Sequence, residues 1–93
     1  MNELPISSFQ RAILHTHGAK ARLLRRQRVN ERFEGEPVWE RDVLVFRLEG
    51  HPTARFCYAW EVDGKVTAVL HEPPVDAPLA AVRAAIVAEH RRK

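Results

Sequence analysis

Five cationic residues, Lys20, Arg22, Arg26, Arg28 and Arg32, fall on even positions of one stretch, while Ala21, Leu23, Val29 and Phe33 fall on odd ones. A period of two sends alternate side chains to opposite faces of a strand, so the pattern predicts a basic row backed by an apolar face. A row of that pitch suits a nucleic-acid backbone, whose phosphates demand many cations but no fixed motif. The competing reading is an edge strand that uses charge to discourage aggregation. Helix is the alternative conformation, since Ala, Leu, Arg and Gln all favour it, but a helix would scatter the cations around its circumference. Leu24, Arg25 and Gln27 break the alternation and mark a candidate bulge.

Charge is distributed to match. Between Leu4 and Asn30 there are six basic residues and no acidic one, whereas the remainder holds nine basic against twelve acidic. A second basic knot closes the chain at Arg91, Arg92 and Lys93. This asymmetry points to an anionic partner.

Phe56, Tyr58 and Trp60 form a second period-two row, of the kind that can stack on unpaired bases. Core packing or a dimer contact is the commoner use of such a row and takes precedence. His15, His17, His51, His71, His90 and Cys57 show neither Cys-x-x-Cys nor His-x-x-x-His spacing, and residues two apart on a helix do not share a face; no metal or cofactor is expected. No local arrangement of nucleophile and base, paired carboxylates or phosphate-cradling glycines is recognisable, so the chain reads as a non-enzyme.

The elements that position these residues follow from turn and capping signals. Ala54 to Glu72 reads as a hairpin, two β-prone runs around Asp63-Gly64, with Phe56, Tyr58, Trp60 and Val62 opposite His71, Val69, Thr67 and Lys65. Cys57, Ala59, Val66, Ala68 and Leu70 share the other, equally apolar face. Upstream, Lys20 to Phe33 is a long strand, Glu34 to Pro37 a turn, and Val38 to Leu48 a strand apolar on both faces. Ser7 and Gln10 suggest a capping box for a helix from about Ser8 to His17, ended by Gly18. Pro73-Pro74 stops the sheet, and Asp76 caps a second helix of about fourteen residues with Pro78 in its first turn and an apolar stripe of Leu79, Val82, Ile86 and Val87 reaching His90. The expectation is an α+β fold, a four-stranded antiparallel meander with the N-terminal and C-terminal helices packed on one face. The order of helix, strands and helix resembles the double-stranded-RNA-binding domain in topology alone. That family's last helix normally opens with basic residues after a glycine-containing loop, whereas this one opens Pro78-Leu79-Ala80-Ala81 and follows an extra strand.

Ninety-three residues make one domain with room for one core, residues 1–6 and 91–93 being frayed ends. Mean hydropathy is −0.35 and 45% of residues are hydrophobic, values ordinary for a globular chain. No apolar run approaches the ~20 residues that span a bilayer, the start carries no signal-peptide pattern, and the single cysteine forms no disulfide within the chain; together these point to the cytoplasm and away from membranes. Two functions remain open. One is a small binding protein that contacts nucleic-acid backbone through the basic row; the other is a protein–protein interaction or structural module, a homodimer that buries the sheet face left bare by helices on one side only.

Overall fold

A computed structural model describes residues 4–33, 36–72 and 75–91, with the side chains of 31–33, 36–39 and 89–91 outside the description. The elements run α1 (Ile6–His17), β1 (Lys20–Phe33), β2 (Glu36–Glu49), β3 (Phe56–Val62), β4 (Lys65–Leu70) and α2 (Pro78–Arg91). The strands pair antiparallel in the order β1-β2-β3-β4, the meander expected from the sequence. Of the turn expected over Glu34 to Pro37, Glu34 and Gly35 lie outside the described residues, as do Pro73 and Pro74. Glu36 and Pro37 already belong to β2, which starts before the expected Val38 because both are paired in the ladder with β1. No described helix is long and apolar enough to cross a membrane.

Helix α1 starts earlier than the capping-box reading allows. Pro5 is its N-cap, with φ −66° and ψ 155° and no side-chain cap bond. Proline's ring fixes that φ in advance, and its carbonyl accepts the Ser8 N–H at 2.9 Å. Gln10 is thereby released for another task. At the far end Gly18 takes φ 67° and its N–H bonds the Leu14 carbonyl at 2.9 Å, the left-handed stop that glycine adopts without a Cβ penalty.

The two helices lie on opposite faces of the sheet, which corrects the expectation of a single covered face. Phe9 and Ile13 of α1 pack with Leu44, Phe46, Leu48, Cys57 and Ala59. Ala81 and Val82 of α2 pack with Val29, Val43, Val45, Tyr58 and Trp60. The cause is visible in β3, where Cys57, Tyr58, Ala59 and Trp60 are buried in succession, so both faces need a cover. One helix is available for each. Burying side chains such as Phe46 and Ile13 contributes about 1.5–3 kcal/mol apiece, and the Phe9 and Phe46 rings stack at 6.3 Å. With a helix on each face, neither side of the sheet is the bare apolar face that the expected homodimer would bury.

Candidate functional site

Strand β1 carries the cationic residues, and its register on β2 decides where they point. Ala21 pairs with Leu48 and Leu23 with Phe46, so both face α1, and the intervening Lys20 and Arg22 face the α2 side. Leu24 is then skipped, and Arg25 pairs with Val45. This β-bulge reverses the numerical phase of everything after it. Arg26 and Arg28, opposite Leu44 and Asp42, therefore face α1, while Arg25 and Val29 face α2. The even-numbered row is one row in sequence but two in space. Arg32 is paired in the ladder with Pro37, and its side chain lies outside the described residues, as do those of Arg91, Arg92 and Lys93.

The two halves differ electrostatically. Arg28 is held by Asp42 at 3.3 Å and Glu40 at 3.8 Å. On the α2 side, Lys20, Arg22 and Arg25 are exposed and are joined by exposed Arg47, which stands directly opposite Arg22. Among the described residues none forms an ion pair with any of these four. Like charges directly opposed across strands destabilise the pairing, so Arg22 and Arg47 hold a local repulsion that an anion between them would relieve. Glu49 faces Lys20 and Asp76 acts on Tyr58 nearby, so four cations meet two carboxylates and the corner stays net positive.

The same row continues into aromatic residues. Arg47 pairs with Phe56, and Phe56 accepts the His71 N–H through its carbonyl at 2.9 Å. Arg22, Arg47, Phe56 and His71 thus form one rung across the sheet. The His71 ring meets Phe56 edge-on, with centroids 5.8 Å apart and planes at 79°. Its Nδ1 is 2.6 Å from the Tyr58 hydroxyl. Burial raises the Tyr58 pKa, opposed by Arg25 and reinforced by Asp76 and Cys57. Phe56, Tyr58 and Trp60 share this face as the sequence implies, but Tyr58 and Trp60 are only 4% and 3% exposed beneath α2. Phe56 alone of the three is half-buried and reachable.

The remaining histidines are spread over the fold. His51 Nδ1 accepts the Thr53 and Ala54 N–H groups at 3.1 and 2.9 Å and shapes the β2–β3 connection. His17 reaches a backbone carbonyl of β4. No group of three or more metal-ligating side chains occurs among the described residues. Cys57 is buried, and burial pushes its thiol from 9.0 up to about 12.

Arg25 and Arg47 escape a reading made along a single strand. The alternation of β2 was a usable signal for Arg47, since it lies between Phe46 and Leu48, which point to α1. Its pairing with Arg22 depends on register and is not written in either strand alone. No family model, no curated protein and no solved structure matches the chain.

Proposed function

We propose that this chain is a small cytoplasmic, non-enzymatic binding protein that engages nucleic-acid backbone through the corner formed by Lys20, Arg22, Arg25 and Arg47. The observation that carries the reading is the direct opposition of Arg22 and Arg47, both exposed and neither in an ion pair with a described residue. A phosphate placed between them removes a repulsion and gains charge-assisted hydrogen bonds at once. Backbone contacts of this kind carry little sequence preference. Fluorescence anisotropy with labelled oligonucleotides at low salt tests it: binding is expected, with log K falling against log salt at a slope of about −3 for four cations on a single strand. Arg22→Ala with Arg47→Ala should weaken every sequence alike and flatten the slope by about 1.4. Absence of binding to any DNA or RNA at low salt removes the proposal.

The second reading, a protein–protein interaction or structural module without a nucleic-acid ligand, draws support from Arg28. Its carboxylate partners Asp42 and Glu40 satisfy the cation within the fold, as a solvated edge strand would require. On that reading no DNA or RNA is bound even at low salt, and the same anisotropy titration decides between the two.

A further inference from the structure

We infer that the rung Arg22, Arg47, Phe56 and His71 seats one nucleotide of a single strand, its phosphate on the two arginines and its base on the Phe56 ring. This rests on the nucleic-acid reading above and names its ligand class. Neighbouring strands are ~4.8 Å apart, so the guanidinium pair and the ring stand one strand step from each other on the same face. A nucleotide carries its anionic and its aromatic parts at the two ends of a sugar, and the rung is divided in the same way. In a duplex the base faces are already stacked on one another, and a ring on a sheet surface cannot reach them; an unpaired base offers its face freely.

The ring is also held in place from the core outward. Tyr58, buried beneath α2, fixes His71 through the 2.6 Å hydrogen bond, and the His71 and Phe56 rings brace one another in a T-shaped contact with centroids 5.8 Å apart. Phe56 therefore presents a pre-set face, which lowers the ordering cost of stacking. Since Tyr58 and Trp60 are buried, one base is stacked and no run of bases is read.

The test compares a labelled oligothymidylate, the same oligonucleotide with abasic sugars, a duplex of equal phosphate count and inorganic polyphosphate as competitor. Charge density alone would favour the duplex. The seat predicts instead that the single strand binds at least about ten-fold tighter than the abasic strand or the duplex, and that Phe56→Leu costs about ten-fold on the single strand while leaving the salt slope unchanged. The abasic comparison needs no variant and stands whether or not Phe56→Leu folds. Equal affinity for the normal and abasic strands, or a duplex bound as tightly as the single strand, overturns the seat while the backbone reading survives. No binding to any of them overturns both.

Discussion

Gln10 and His17, two helical turns apart on α1, hydrogen-bond carbonyls on opposite edges of the sheet. The Gln10 amide donates to Ala21 of β1 at 2.8 Å, and His17 Nε2 donates to Ala68 of β4 at 3.2 Å. Seven residues of helix rise ~10.5 Å, and four strands span ~14 Å between their edges, so two extended side chains close the difference. The helix is a strap across the α1 face, and it satisfies edge carbonyls that could otherwise recruit another strand.

Removing either fastening should loosen the strap without dissolving the core. Gln10→Ala and His17→Ala are each expected to cost about 1 kcal/mol in denaturant unfolding. Because the two bonds lie at opposite edges, the double variant should equal the sum within about 0.5 kcal/mol. A large coupling energy would mean that α1 docks as an all-or-none unit.

The β3–β4 turn makes a sharper demand. Asp63 and Gly64 take φ 52° and 80°, both positive, as a type I′ turn requires. Glu61 further accepts the Gly64 N–H at 2.6 Å. A Cβ at Gly64 would meet nothing within 4 Å, so Gly64→Val is penalised through backbone conformation alone, by about 1–2 kcal/mol. A melting temperature that does not move would contradict the turn geometry.

Alkaline pH should expose the buried thiol. Cys57 keeps its proton to about 12 in the fold, against 9.0 ordinarily, so between these values the unfolded chain binds fewer protons than the native one. Stability is then level below the lower value and falls by about 1.4 kcal/mol per pH unit above it, ceasing to fall once the native thiol also ionises. Tyr58, raised as well, acts in the same direction. Measured from pH 8 to 11, the denaturant midpoint of the native chain should fall more steeply than that of Cys57→Ala. At pH 8 the native thiol should resist alkylation until denaturant is added.

The bulge predicts an unusual tolerance. Leu23 and Arg25 already face opposite sides and pair with the adjacent residues Phe46 and Val45, so deleting the 43%-exposed Leu24 restores a continuous pleat with every partner kept. That deletion should cost under about 1 kcal/mol, while the straighter edge aggregates more readily. Deleting Gln27 has no slack to use and must turn one half of β1 inside out, for a loss of roughly 2 kcal/mol or more. Equal costs for the two deletions would show that Leu24 is not the surplus residue.

Periodicity and turn chemistry are local properties, and they were legible: the strand nature of Lys20 to Phe33, the Asp63-Gly64 hairpin and the Gly18 stop all follow from residues within a few positions of one another. Sidedness was not. Val43, Val45, Leu44 and Phe46 leave both faces of β2 apolar, so nothing in the strands states which helix covers which face. The site was half legible for the same reason. Lys20 and Arg22 are signalled by β1 itself, but one surplus residue at Leu24 removes Arg26 and Arg28 from their face, and Arg47 enters through a register set by a distant turn.

The meander has a consequence for the order of assembly during synthesis. Every strand pairs with its predecessor, so the sheet can zip as it emerges, each hairpin closing in roughly 1–10 μs. Helix α1 cannot follow that schedule, because the Ala68 carbonyl that fastens His17 lies 51 residues downstream. At about 5–20 residues per second, α1 waits roughly 3–10 s for its second anchor. Until then Phe9 and Ile13 have only part of their final surroundings, and their apolar surface stays uncovered while the strands that will bury it are being made.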